Sequence, residues 1–109
     1  MKEWIKAILK IVETTRQVEK NTKDIEDLKS IIDDIESNAE NLRYLLKESD
    51  DFSNEDFDTL TSMVEKMSAT LTDVIDTIED DDQKERIKSL RKGIKRLATI
   101  RSNNRYGNE

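Results

Sequence analysis

The sequence predicts an all-α protein: an antiparallel helical hairpin with a long first helix, followed by a third, basic helix, closed either as a three-helix bundle or as a coiled-coil oligomer. Three observations carry this. Ile11, Val18, Ile25, Ile32, Ala39 and Leu46 stand seven residues apart with no proline or glycine between them. Such a column is the stripe of a slightly supercoiled helix, and a helix so narrowly apolar needs another helix to cover it. Second, 34% of the 109 residues are hydrophobic and 40% are charged, which favours a long, thin molecule over a many-layered core. Third, charge falls in blocks: net +3 over residues 1–23, −16 over 24–82 and +7 over 83–109, summing to −6. Opposite blocks attract, so the basic third helix belongs beside the acidic middle.

The first helix is read over 2–48, about 70 Å at 1.5 Å per residue. In its second half Ile25, Leu28, Ile32, Ile35, Ala39, Leu42 and Leu46 alternate steps of three and four. In its first half the companions of Ile11 and Val18 are Thr14 or Thr15 and Asn21 or Thr22. These are either seam layers that fix register and oligomer number or polar residues tolerated near a fraying end.

Glu48 to Ser53 is the first clear break. Ser53 with Asp56 makes an acidic variant of the capping box, and Phe52 and Phe57 are placed as a hydrophobic staple. The second helix, 54–80, carries the stripe Phe57, Leu60, Val64, Met67, Leu71, Val74 and Ile78. A short loop between two such helices makes them antiparallel neighbours.

Asp80 to Asp82 mark another break, and Asp82 with Glu85 repeats the capping pattern before a third helix over 83–102 with stripe Ile87, Leu90, Ile94 and Leu97. Gly93 lies inside that helix and costs about 1 kcal/mol relative to alanine. A neighbouring backbone approaches there, or the helix is locally soft. Asn103, Asn104 and Gly107 then stop the chain in a frayed tail. The whole reads as one helical domain, 1–109: an amphipathic arm (1–22), an acidic hairpin (23–80), a basic helix (82–102) and the tail (103–109). In one arrangement the third helix folds onto the hairpin and the arm projects. In the other, two hairpins associate antiparallel, basic ends against acidic middles. Both leave apolar surface uncovered, which predicts a homo-oligomer or an obligate protein partner.

The arm presents Trp4, Ile5, Ile8, Leu9, Ile11 and Val12, edged by Lys2, Lys6 and Lys10. A basic amphipathic helix docks into a partner's groove, lies in a membrane interface, or is buried in its own bundle. Self-association is expected through Val18, Ile25, Ile32, Leu60, Met67 and Leu71 along the two stripes. Lys84, Lys88, Arg91, Lys95 and Arg96, with Arg101 and Arg105 beyond, either meet the phosphates of a nucleic acid or serve as internal counter-charge to the acidic middle.

Chemistry is sparse. The chain has no cysteine and no histidine, so thiolate nucleophiles, disulfides and sulfur-ligated metals are out of reach. No glycine-rich loop exists to hold a nucleotide, and Ser89 to Lys92 matches a Ser-x-x-Lys pattern without its companion motifs. Asp50, Asp51, Asp56 and Asp58, and Asp80 to Asp82, lack the alternating ligands, central glycine and terminal glutamate of a calcium loop; they are capping carboxylates. No catalysis, cofactor or metal is expected. The longest apolar run is Ala7 to Leu9, between Lys6 and Lys10, too short to span a membrane or to form the apolar stretch of a leader, so a cytoplasmic location is expected, with leaderless export as the alternative. In size and in having a hairpin the chain resembles the small helical proteins exported by some Gram-positive secretion systems. It lacks their Trp-x-Gly turn, since the sole tryptophan is Trp4 and the turn is Ser49 to Ser53. The expected function is a non-enzymatic helical interaction module, an adaptor or small regulatory subunit, with an unknown protein as partner. Nucleic acid and a membrane surface are the alternative partners.

Overall fold

Asn21 and Asp24 divide what the heptad column joins. In a computed structural model, which describes residues 2–101, the chain forms α1 (Glu3–Lys20), α2 (Ile25–Glu48), α3 (Asn54–Ile75) and α4 (Asp81–Leu97). Among the described residues four helices therefore replace the expected three. Met1, Ser102 and the tail at 103–109, with Arg105, lie outside the described residues. At the division, the Asn21 N–H bonds the Val18 carbonyl, its side-chain amide donates to the Gln17 carbonyl at 2.8 Å, and the Asp24 carboxylate accepts from the Asp27 N–H at 3.1 Å. Asn closes one helix and Asp opens the next by their short polar side chains, with no glycine or proline required.

The remaining boundaries are also set by caps. Ser53 and Asp56 complete both halves of the expected capping box at the start of α3. The second cap is Asp80, which accepts from the Gln83 N–H at 3.0 Å, and not Asp82. It lies two residues earlier because α3 ends at Ile75 and Ile78 is buried from the connecting loop.

Each helix buries one stripe: Trp4, Ile8, Ile11, Thr15 and Val18 on α1; Leu28, Ile31, Ile32, Ile35, Leu42 and Leu46 on α2; Leu60, Val64, Met67, Leu71, Val74 and Ile75 on α3; Ile87, Leu90, Ile94 and Leu97 on α4. Thr15 is the one polar residue in the α1 stripe. Its hydroxyl donates to the Ile11 carbonyl at 2.8 Å, so this buried polar group is satisfied within α1.

Loops of four or five residues make consecutive helices antiparallel. α1 packs on α2 and α3, and α4 packs on α2 and α3. The helices thus stand at the corners of a square in the order α1, α2, α4, α3, and the α2–α3 connection crosses a diagonal. Charge accounts for this choice. α2 has seven acidic and three basic side chains and α3 has five and one, whereas α4 has three and seven. Placing the two acidic helices across a diagonal, with the basic helix touching both, minimises like-charge contact. Arg86 of α4 shows the attraction directly, bonding Asp33 at 2.7 Å and Glu36 at 2.8 Å on α2.

The bundle measures 47 × 23 × 17 Å with a radius of gyration of 14.4 Å, near the roughly 13 Å of a compact chain of this length. The thin rod with an incomplete apolar edge is corrected: splitting the long helix lets α1 fold back and cover the stripe. The expected arm over residues 1–22 does not project where it is described, because α1 lies in the bundle against α2 and α3. Gly93 is likewise not explained by a close backbone, since a Cβ built there meets nothing within 4 Å and its φ is not positive.

Candidate functional site

The six apolar residues expected at a partner interface separate into two sets. Trp4, Ile8 and Ile11 are core, Trp4 being only 2% exposed. Ile5 and Val12 are half-buried, and Leu9 is 39% exposed. The divider is helical phase: Trp4, Ile8 and Ile11 share the inward stripe with Thr15 and Val18, whereas Ile5, Leu9 and Val12 stand one position further round. Those three follow one another at steps of four and three along the seam between α1 and α3. A groove of 270 Å³ continues the seam, lined by Val12, Thr15, Arg16, Lys66, Met67 and Ala69 among others. Half-buried Met63 lies on the same flank of α3, seven residues before Thr70 in that groove wall. Among the described residues no ion pair reaches Arg16 or Lys66, and both are exposed. The result is an open apolar strip with two free cations at one end.

Of the residues expected to self-associate, Val18, Ile32, Leu60, Met67 and Leu71 are buried inside this chain. They hold α1, α2 and α3 together. Ile25 is the exception at 42% exposed, because it opens α2 before the stripe begins.

The basic helix also divides. Lys95 lines a 440 Å³ groove between α3 and α4, and Arg91 donates to the Thr72 hydroxyl at 3.1 Å on that same side. Lys88 pairs with Glu85 at 3.3 Å along its own helix. Lys84 is half-exposed and Arg96 exposed, and among the described residues neither has an ion pair. Arg101, half-buried, donates to the Leu46 carbonyl at 3.1 Å and lies 5.0 Å over the Phe52 ring. The counter-charge to α2 is Arg86, which is not among the basic residues that the sequence marks as candidates. Its signal was positional: it directly precedes Ile87 of the buried stripe, a flank position where charges reach a neighbouring helix.

One electrostatic clamp ties the chain ends of α1 and α3. Lys2 bonds the Asp56 carboxylate and donates to the Asp51 carbonyl at 2.9 Å. Burial pushes the Asp56 carboxyl up, but the hydrogen bonds from Lys2 and Ser53 and the Lys2 charge outweigh it and hold the group below the usual carboxylate range. The Asp56 hydrogen bond is the main reason the Lys2 ammonium stands above its usual range. A depressed carboxyl contributes stability that is present above its unfolded pKa, about 3.9, and is lost as pH falls through the lower folded value. The melting temperature is therefore expected to fall as the medium is acidified below about pH 4. Asp56→Asn should lower the neutral-pH melting temperature and flatten that segment of the profile; an unchanged acid limb in the variant contradicts the clamp.

Among the described residues no group of three or more metal-binding side chains is assembled, and no helix is long and apolar enough to cross a membrane. No family model, curated protein or solved structure matches the chain. What its surfaces do is therefore read from their own chemistry.

Proposed function

We propose that the protein is a non-enzymatic helical interaction module, an adaptor or small regulatory subunit, whose docking surface is the α1/α3 face. The observation that carries this reading is the stripe Ile5, Leu9 and Val12, in which Leu9 is exposed and Ile5 and Val12 are buried only in part against the core. Three apolar side chains at helical spacing, continued by Met63 and a shallow groove, match the anchors of an amphipathic helix laid along the seam. Arg16 and Lys66 at one end of the strip select a partner helix carrying a carboxylate there. The basic helix supports a polyanion less well. Arg86, Lys88 and Arg91 are already engaged, and the remaining cations diverge, with Lys95 turned toward α3 and Arg96 exposed on its own side.

Selection of helical peptides against the full chain tests the reading. Binders are expected to carry apolar residues at positions i, i+4 and i+7 with a terminal carboxylate. Leu9→Glu should weaken them at least about tenfold, as loss of a central anchor does, while circular dichroism stays native because Leu9 contributes little to the core. Peptides that bind Leu9→Glu and the wild type equally would refute the assignment.

A further inference from the structure

We propose that the opposite face, formed by α2 and α4, is the interface of a two-fold dimer with a second copy of this chain, centred on Gly93. Glycine in a helix interior carries a penalty. At Gly93 neither backbone conformation nor internal packing asks for it, since φ is not positive and the space a Cβ would take is open. That open space is the floor of a 250 Å³ groove lined by Glu36, Ala39, Glu40, Arg43, Ser89 and Gly93, among others. The missing side chain makes room for something from outside.

Charge identifies the occupant. The groove runs between two parallel strips, mainly acidic along α2, where Asp33, Glu36 and Glu40 are followed by Arg43 and Lys47, and mainly basic along α4, where Arg86, Lys92 and Arg96 are joined by Glu85. Arg86 is held by Asp33 and Glu36, and Arg43 within the acidic strip is held by Glu40 at 3.3 Å. Lys92 and Arg96 are exposed and, among the described residues, have no ion pair. Tyr44, at 63% exposed, is the most exposed large apolar side chain described and lies on the outer side of α2. An acidic helix would be repelled by one strip and a basic helix by the other. The surface that fits has the strips exchanged, and a second copy offers it.

The symmetry follows. A two-fold axis in the plane of the face and along the helices lays α2 of each copy over α4 of the other. An axis across the helices would set acid on acid. Within one chain, α2 and α4 run level, as Arg86 beside Asp33 and Glu36 and Arg101 on the Leu46 carbonyl show. The same level across the interface brings Lys92 to the partner's Glu40 and Arg96 to the partner's Tyr44, the latter a cation–π arrangement. Ala39, Ser89 and Gly93 leave the two backbones free to approach at the centre. The α1/α3 face points outward in both copies, so this dimer does not depend on the docking function.

Sedimentation equilibrium of the full chain tests the proposal. The wild type is expected to be a dimer. Gly93→Gln, whose Cβ meets nothing within 4 Å and whose longer side chain occupies the groove, should raise the dissociation constant at least about tenfold, with native circular dichroism and no loss of melting temperature at high dilution. Lys92→Glu should weaken the dimer similarly, and Glu40→Lys in the same chain should restore it. A wild type that stays monomeric at every concentration overturns the proposal. So does a dimer indifferent to Gly93→Gln, a charge exchange that gives no rescue, or a dimer broken instead by Leu9→Glu, which would place the contact on the α1/α3 face.

Discussion

Ile32→Ala is expected to cost about 2–5 kcal/mol of folding free energy, whereas Ile25→Ala, one heptad earlier in the same apolar column, should change stability by no more than about 0.5 kcal/mol. Ile32 is fully buried in the α2 stripe between Leu28 and Ile35. Its truncation removes apolar contacts and leaves a cavity that a close-packed bundle collapses only in part. Ile25 is the first residue of α2 and is 42% exposed, so its truncation leaves no cavity. A continuous first helix would bury both residues in one seam and make the two costs alike. Chemical denaturation of the two variants at equal protein concentration gives the comparison, and equal midpoint shifts would rule out the break at residues 21–24.

Trp4→Ala is expected to have a still larger effect, about 3–5 kcal/mol, out of a total of about 5–15 kcal/mol for a domain of this kind. The indole closes one end of the bundle. It lies 5.2 Å from the Phe52 ring, and the Arg101 guanidinium lies 5.0 Å over the same ring. One substitution therefore loosens the starts of α1 and α3 and the end of α4 together. Trp4→Phe should be far milder, because it keeps an aromatic ring and deletes an indole N–H that has no acceptor among the described residues. As the only tryptophan, Trp4 also reports on itself. Its fluorescence should resist iodide quenching in the native protein and become quenchable with the unfolding transition. Ready quenching of the native protein would mean that α1 is an exposed arm.

Much of this was legible in the sequence. The stripes of α3 and α4, from Leu60 to Val74 and from Ile87 to Leu97, follow from spacing alone, because period-3.6 burial leaves a direct trace. The Ser53–Asp56 cap was readable for the same local reason. The break at Asn21–Asp24 was hidden because the interval from Val18 to Ile25 is seven residues, so the loop preserves the heptad phase by length and lacks glycine and proline. Asn and Asp there cap through their side chains, a weaker mark than a helix breaker. Missing the turn assigned Trp4, Ile8 and Ile11 to a partner, since only a helix that turns back can bury them in its own chain. Charge blocks correctly set the basic helix beside the acidic middle. They did not say that Arg86, among seven cations on α4, meets Asp33 and Glu36, because which flank faces which neighbour depends on how four helices close. Nor does spacing distinguish a glycine that accommodates its own chain from Gly93, which faces open space.

The central claim is that the chain turns back after Lys20, so that its own helices cover its apolar stripes. The contact between Trp4 and Phe52 tests this most directly. A nuclear Overhauser effect between the two rings, recorded with labelled chain diluted in unlabelled protein so that only contacts within one molecule are seen, is expected for rings 5.2 Å apart. Were residues 2–48 one unbroken helix, Trp4 and Phe52 would stand at opposite ends of a rod of about 70 Å. No intramolecular effect would then be observed.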